Sequence, residues 1–290
     1  MRSSDGSALL SQQCCRVGGD VVQHANNLSG NPCRSVTADE VAHYKERGWV
    51  KLERFIHPEM LERLLKTARQ QMGDDGDSTI GISQSYFTVG YGGGLTNPPM
   101  RALIDQVGQN AKALMGRKAG VGVRYFSDFF APKLPAMKKT KNAGNGATSF
   151  HQDFITFAVD RSGGMTFWIP LEAYGPEAGT MSFVNGSHRH GVLGNYRNYD
   201  PGDDALDTFP ELRELEMSEP VSYGLGDITV HSHLTVHGAG LNLMDKPRWA
   251  YLILTQPFDA VWNGAPPEAF DTTGMQPYQR FSDERFPILA

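Results

Sequence analysis

The chain has 290 residues, 40% hydrophobic and 20% charged, a composition typical of a globular protein. Its 27 Lys and Arg against 32 Asp and Glu give a formal net charge of −5. Because no dense basic run interleaved with aromatic residues is present, we expect no nucleic-acid partner. No apolar run reaches the length of a membrane helix and no continuous apolar signal segment follows the first residues, which predicts a cytoplasmic protein with no membrane partner.

Residues 1–35 are rich in Ser, Gly, Asn and Gln and have only weak hydrophobic periodicity. This composition predicts a tail that is disordered or lies over the domain, and residues 36–290 are predicted to form a single domain. The three cysteines, Cys14, Cys15 and Cys33, all fall in the tail, so they cannot crosslink the body of the fold. We interpret the adjacent Cys14 and Cys15 as plain thiols, with a metal or redox pair as the alternative.

Three helices are predicted before the first long β-rich segment. Thr37 followed by Glu40 is a capping box, and Gly48 is placed to end that helix before a short strand at 49–52. A second helix is predicted from Pro58, because apolar residues recur at three- and four-residue spacing as far as residue 72. A third is predicted over about 98–115.

Residues 73–96 combine an acidic, glycine-containing stretch with a later run of glycines, a composition typical of a loop, and we interpret the segment as a candidate lid. Tyr86 and Phe87, together with Tyr91, are candidate substrate contacts there. The alternative interpretation is that these aromatic side chains only anchor the loop to the domain.

From Val121 onward, β-branched and aromatic residues predict strands near 121–131, 150–158, 165–172 and 180–184. The segment 132–148 is interpreted as a mobile loop whose lysines are solvated, with steering of an anionic substrate as the alternative; these are Lys133, Lys138, Lys139 and Lys141. Residues 191–219 are predicted to form an irregular or partly helical insertion.

The strand predicted at 150–158 carries an imidazole and a carboxylate two residues apart, at His151 and Asp153. In a strand, residues i and i+2 project from the same face with Cα atoms about 6.6 Å apart, so both side chains can bind one metal ion. A third ligand on a distant strand would complete the two-histidine, one-carboxylate set that leaves positions on Fe(II) open. The alternative is a surface pair or a local hydrogen bond.

Three histidines compete for the place of third ligand, and in an unbroken strand all three would share one face: His231, His233 and His237. Only the last is followed by a glycine-rich, turn-forming interval, which predicts a hairpin-like return that brings Arg248 near His237. A buried arginine is costly unless it meets an anion, and a carboxylate satisfies it with two parallel hydrogen bonds.

These residues resemble the phytanoyl-CoA dioxygenase family of Fe(II)- and 2-oxoglutarate-dependent oxygenases, from about Thr37 to Pro257. Four blocks in order carry the resemblance: residues 37–50, 150–153, 177–188 and 226–248. The second is similar to the family's proximal metal motif. In the third, Asn185 stands in place of a proline common in the family.

The resemblance implies a mainly β fold with flanking helices, whose core is a double-stranded β-helix, or cupin-like jelly roll. It implies Fe(II) held by His151, Asp153 and His237, 2-oxoglutarate as cosubstrate and O2 as oxidant. It also implies that Arg248 binds the distal carboxylate of 2-oxoglutarate and that Trp168 lines the cosubstrate site. Ala239 departs from the family, where a serine often helps to hold that carboxylate.

The activity implied is that of a non-haem dioxygenase that hydroxylates a small-molecule substrate, or desaturates or cyclises it. The aromatic-rich core, the modest acidity and the stand-alone oxygenase domain favour a tailoring role in secondary metabolism. Related halogenases replace the metal-binding carboxylate with a small residue, so the presence of Asp153 argues for hydrogen abstraction without halogenation. Two alternatives stay open: hydroxylation of an acyl-CoA or other primary metabolite, and a non-catalytic jelly roll that binds a metal or a ligand. The sequence indicates neither the substrate nor the oligomeric state.

Overall fold

The computed structural model describes residues 31–76, 93–116, 122–137, 146–194, 204–267 and 270–290. The helices in these ranges are α1 (Ala38–Arg47), α2 (Pro58–Met72), α3 (Pro98–Met115), α4 (Phe154–Phe157) and α5 (Ala205–Thr208). The strands are β1 (Trp49–Leu52), β2 (Val123–Phe130), β3 (Thr148–His151), β4 (Met165–Pro170), β5 (Met181–Phe183), β6 (Ile228–Ser232), β7 (His237–Ala239) and β8 (Ala250–Pro257). Residues Pro32–Ala290 form one compact unit, while the boundary at residue 36 stays a prediction.

The three predicted helices are confirmed, together with the signals that begin and end them. Thr37 Oγ1 accepts a hydrogen bond from the Glu40 backbone N–H, and the Glu40 carboxylate accepts one from Thr37 N–H, so both halves of the capping box are present. Gly48 ends α1 in the left-handed conformation, at φ 82°. Pro58 opens α2 at its first position.

Two antiparallel sheets form the body of the domain. One has five strands in the order β1-β6-β4-β8-β2, and the other has three in the order β3-β7-β5. The chain passes from the first sheet to the second between β6 and β7, and back again between β7 and β8. This arrangement confirms the prediction of a mainly β core with flanking helices.

The five-stranded sheet has an apolar face that packs against the helices and a second face that carries polar and aromatic side chains. On β4 and β6, Phe167, Ile169 and Val230 belong to the core shared with α2 and α3. Because successive strand residues face opposite sides, Thr166 and Trp168 project from the other face. Trp168 packs there with Phe183 of the three-stranded sheet, so this face points into the space between the two sheets.

The segment before α1 is also part of the fold. Cys33 is buried and forms a β-bridge with Ile56, and burial raises the pKa of its thiol to about 12. The Val36 backbone N–H donates to the Asn110 side chain on α3. Cys33 is therefore a core residue, and Cys14 and Cys15 lie outside the described residues.

Two further outcomes concern less regular parts of the chain. The insertion predicted at 191–219 contains short helical turns at Ala205–Thr208 and Pro210–Glu214 among its described residues. Among the helices that the structure describes, none combines the length and the apolar character needed to cross a membrane.

Candidate active site

The structure brings the three predicted metal ligands together between the two sheets. His151 ends β3 and His237 begins β7, and the register of these two strands pairs the two residues directly. Asp153 Oδ1 lies 3.4 Å from His151 Nε2 and 3.7 Å from His237 Nε2. The three ligand atoms all lie within 4.8 Å of one another, close enough for one ion to contact them all.

Hydrogen bonds to the backbone fix the orientation of both imidazoles. His151 Nδ1 lies 2.8 Å from the Ser149 carbonyl oxygen, and His237 Nδ1 lies 3.0 Å from that of Thr235. Because a carbonyl oxygen can only accept, Nδ1 carries the proton in each ring and Nε2 keeps its lone pair. Both Nε2 atoms are therefore in the form that binds a metal ion.

The second carboxylate oxygen of Asp153 is held by Thr166 and by His231, one of the two histidines that compete with His237 in the sequence. Oδ2 accepts a hydrogen bond from Thr166 Oγ1 at 2.9 Å and lies 3.1 Å from His231 Nε2. Thr166 and His231 are directly opposite each other in the β4–β6 register, so they present donors from the same face. Because Oδ2 is held in this way, Oδ1 faces the two imidazoles of His151 and His237.

Electrostatics at the site favour an ionised carboxylate beside a neutral imidazole. Burial alone raises the pKa of Asp153, but the adjacent imidazoles of His237, His151 and His231 outweigh it and hold that pKa well below its usual value. Burial, followed by the neighbouring His231 and His151, lowers the pKa of His237 well below its usual value. These are the protonation states that a metal ion requires of its ligands.

The prediction of one strand over 150–158 is wrong. β3 ends at His151, and Asp153 has helical backbone angles, φ −60° and ψ −33°, at the start of the short helix α4. The Phe154 backbone N–H donates to the His233 carbonyl at 3.0 Å, which fixes the bend. His151 and Asp153 therefore converge because the chain turns between them, and the strand-face argument for their pairing is incorrect.

The three competing histidines are separated by a break in the strand. β6 ends at Ser232, a turn covers 233–235, and His237 begins β7 in the other sheet. His233 Nδ1 lies 3.2 Å from Gln256 Nε2, and its ring packs at the edge of Phe157. Burial lowers the pKa of His233 to about 3, so it is a neutral core histidine.

Arg248 and Trp168, the predicted cosubstrate residues, lie against each other. The Arg248 Cζ atom is 5.0 Å from the centroid of the Trp168 ring, and its guanidinium donates to the Gly179 carbonyl. The predicted hairpin-like return is wrong in its pairing, because β7 and β8 belong to different sheets. Arg248 instead pairs through its backbone with Lys133.

The interpretation of Lys133 as a solvated loop residue is also wrong. Its side chain is buried, with 5% of the residue exposed, and its Nζ donates to the Gly240 carbonyl at 2.6 Å. The other lysines of that predicted loop, Lys138, Lys139 and Lys141, lie outside the described residues. The three aromatic residues predicted to contact substrate also lie outside them; these are Tyr86, Phe87 and Tyr91.

The donor set fits Fe(II). Two imidazole nitrogens and one carboxylate oxygen on a single side are the ligands found in non-haem iron oxygenases, where the opposite side stays open. A family model described as Phytanoyl-CoA dioxygenase (PhyH) matches residues 44–250, more than half of the chain. The chain belongs to the phytanoyl-CoA dioxygenase family. As a member it is a non-haem Fe(II)- and 2-oxoglutarate-dependent dioxygenase, with O2 as oxidant, which confirms the predicted enzyme class and cofactors.

The relatives found by sequence share only about a quarter of their aligned residues with this chain. It is 26% identical over 187 residues to a phytanoyl-CoA dioxygenase domain-containing protein 1 homolog of Caenorhabditis elegans, a match that covers 62% of each chain. The match thus spans less than two thirds of that relative. It is 24% identical over 230 residues to a probable alpha-ketoglutarate-dependent hypophosphite dioxygenase of Stutzerimonas stutzeri, covering 71% of this chain and 73% of that protein.

Solved structures share the fold over most of their length. The carbocyclase SnoK from nogalamycin biosynthesis superposes with a TM-score of 0.70 at 22% identity, covering 88% of this chain and 97% of that one. The epimerase SnoN, solved with Fe3+, alpha ketoglutarate and nogalamycin RO, gives 0.64 at 23% identity, covering 87% and 98%. EctD from S. alaskensis, with 2-oxoglutarate and 5-hydroxyectoine, gives 0.60 at 18% identity, covering 89% and 87%. These likenesses confirm the predicted jelly-roll fold.

Proposed function

We propose that this family member hydroxylates a C–H bond of a small organic molecule, with Fe(II) held by His151 Nε2, Asp153 Oδ1 and His237 Nε2. The observation that carries the proposal is the orientation of these three atoms. Both imidazoles turn Nε2 toward Asp153 because their Nδ1 atoms are engaged by carbonyls, and the carboxylate turns Oδ1 toward them because Oδ2 is held.

When bound, Fe(II) with 2-oxoglutarate and O2 supplies oxidation of a substrate C–H bond, while 2-oxoglutarate is converted to succinate and carbon dioxide. The residues of the chain contribute position and exclusion of water. Thr166 and His231 hold the carboxylate, and Arg248 offers its guanidinium to the distal carboxylate of the cosubstrate, with the Trp168 ring beneath it. Asp153 would be a ligand of the iron where related halogenases have a small residue, which supports hydroxylation over halogenation.

A tailoring step in secondary metabolism is the proposed role. It is supported by the fold shared with SnoK and SnoN, two enzymes of nogalamycin biosynthesis. EctD was solved with 5-hydroxyectoine, another small molecule. Hydroxylation of an acyl-CoA is the second candidate, and it is favoured by the description of the matching family model. A cytoplasmic location stays a prediction.

The first test is an anaerobic titration of the protein with Fe(II) and then with 2-oxoglutarate. We expect the weak visible charge-transfer band of the iron chelate in the wild type, its loss in Asp153→Ala, and its weakening in Arg248→Met. Asp207→Ala is a matched control, because Asp207 is an exposed carboxylate that pairs with Arg213 on the surface. Absence of the band in the wild type would contradict the proposal and favour a non-catalytic binding protein.

The second test is succinate formation in air with candidate substrates. A panel of polycyclic small molecules and a panel of acyl-CoA thioesters separate the two substrate classes. Stimulation of succinate formation by a small molecule, with a product heavier by one oxygen atom, supports the proposal. Stimulation by acyl-CoA thioesters alone would replace it with the second candidate.

A further inference from the structure

Lys133 lies beside Arg248 at one end of the space between the two sheets. The two residues exchange both backbone hydrogen bonds, Lys133 N–H to Arg248 O at 2.8 Å and Arg248 N–H to Lys133 O at 2.9 Å. In an antiparallel pair, directly opposed residues project their side chains from the same face. Asn242 fixes this pairing further, because its side-chain amide donates to the Lys133 carbonyl at 2.9 Å.

Both cationic side chains extend from this pair to carbonyls beside the three-stranded sheet. Lys133 Nζ lies 2.6 Å from Gly240 O, 3.3 Å from Ala239 O and 3.3 Å from Thr148 Oγ1. Arg248 donates to the carbonyl of Gly179, just before β5. The ammonium group is thus held close to β7, the strand that begins with His237.

The charge of Lys133 is not balanced by a carboxylate among the described residues. Its three side-chain contacts are two carbonyls and one hydroxyl, all neutral, and Arg248 is the charged group that faces it. Burying an ammonium beside another cation is costly unless an anion joins them. Burial first, and then the Arg248 charge, lower the pKa of Lys133 to about 6.

A purely structural contact between the two sheets would not require a buried ammonium group at Lys133. A neutral side chain of similar length would fill the same space without the cost of desolvating a charge. The residue Ala239, beside the ammonium group, has only a methyl side chain and offers no side-chain donor. Among the described residues that contact one another here, the cationic donors available to an anion are Lys133 and Arg248.

We propose that Lys133 is a second cationic binding residue for 2-oxoglutarate, and that its ammonium group and the Arg248 guanidinium together bind the carboxylate farthest from the keto group. The inference rests on the proposed function, since it takes the cosubstrate to occupy the space beside Arg248. The pair of cationic groups makes the enzyme selective for 2-oxo acids with a second carboxylate.

The proposal has a consequence for proton binding. In the free enzyme Lys133 is largely neutral above about pH 6, and the charged group beside it is Arg248. A bound carboxylate favours the ammonium form, so binding of 2-oxoglutarate at pH 7.5 is accompanied by uptake of protons. The affinity for 2-oxoglutarate therefore falls as the pH rises above 6, until Lys133 is neutral in the bound state as well.

The test is anaerobic calorimetry on the protein saturated with Mn(II), with 2-oxoglutarate and with 2-oxobutanoate, which lacks the second carboxylate. In Lys133→Met we expect binding of 2-oxoglutarate to weaken about tenfold to hundredfold, with little change for 2-oxobutanoate. Lys246→Met is the matched control, because Lys246 is exposed on the nearby turn and pairs with Glu172. Lys133→Arg should recover part of the loss.

Each outcome has a distinct meaning. Wild-type affinity for 2-oxoglutarate in Lys133→Met, or equal loss for both ligands, would overturn the proposal. If that variant does not fold, the wild type alone decides: titrations at pH 7.5 in two buffers of different ionisation enthalpy should show proton uptake with 2-oxoglutarate and none with 2-oxobutanoate. No uptake overturns the proposal. Failure of the wild type to bind either acid would instead contradict the proposed function.

Discussion

Replacement of His231 by leucine tests how the Asp153 carboxylate is held. Oδ2 accepts a hydrogen bond from Thr166 Oγ1 at 2.9 Å and has His231 Nε2 at 3.1 Å. Among the described residues, His231 Nδ1 has no hydrogen-bond partner, so the substitution removes this one polar contact. Leucine is close enough in size to keep much of the packing of the imidazole, whose ring lies 4.3 Å from that of His237.

The expected effect is on metal affinity. A hydrogen bond to a charged group contributes about 1.5–3 kcal/mol, and retention of the Thr166 bond places the loss near the lower end of that range. This corresponds to binding of Fe(II) weakened by about ten- to thirtyfold, within the range seen when supports of metal ligands are removed. The assay is anaerobic titration with Fe(II) in competition with a chromogenic chelator.

A second substitution separates the hydrogen bond from the packing. His231→Gln places an amide nitrogen the same number of bonds from Cβ as Nε2, so we expect it to recover most of the affinity lost in His231→Leu. Wild-type affinity in the leucine variant would refute the reasoning. Equal weakening in both variants would show that packing of the ring, and not its N–H, supports the site.

Three further predictions concern the cosubstrate site, the core and a polar contact at the edge of the sheet. Trp168→Leu removes the ring beneath Arg248 and should weaken anaerobic binding of 2-oxoglutarate by about threefold to tenfold; unchanged binding would contradict a role for the ring. Phe126→Ala should lower the free energy of unfolding in urea by about 3–5 kcal/mol, because Phe126 is fully buried among the rings of Phe157, Phe270, Phe281 and Phe286. Asp227→Asn should cost about 1–2 kcal/mol at neutral pH, because the carboxylate pairs with Lys51 and accepts two backbone hydrogen bonds. Burial raises the pKa of Asp227, but these contacts lower it further, to below its ordinary 3.8; the contribution is therefore complete above that value and lost as the pH falls through the folded-state pKa, which urea unfolding at several pH values would follow.

Signals that act within a few residues were predictable from the sequence. The capping box at Thr37, the glycine that ends α1 and the proline that opens α2 each depend on local backbone chemistry, and each is present as predicted. The metal motif was recognised for a similar reason, since His151 and Asp153 are close in sequence. The strand predicted through them was not correct, because a short run of aromatic and β-branched residues does not distinguish a strand from a turn of helix.

Residues whose role depends on strand register could not be assigned in the same way. Lys133 is buried because it pairs with Arg248, and its charge and glycine-rich surroundings indicated a solvated loop. Thr166 and His231 support Asp153 because β4 and β6 pair in one particular register. A slip of one strand by one residue would turn its side chain to the opposite face, away from its partner, and no local signal in the sequence fixes that register.

The separation of His231 from His237 shows how a distant element completes the site. The Gly48 carbonyl accepts hydrogen bonds from Ser232 N–H at 2.8 Å and from Thr235 Oγ1 at 2.6 Å, and these two residues flank the turn between β6 and β7. Gly48 has φ 82°, and a Cβ atom there would lie 2.3 Å from His188 Nδ1, so a larger residue would move this carbonyl. The glycine that ends α1 therefore also anchors the break between β6 and β7. Because of this break, His231 faces Asp153 Oδ2 and His237 faces Asp153 Oδ1. Strand periodicity could not choose between these histidines because the contact that separates them lies nearly two hundred residues earlier in the chain.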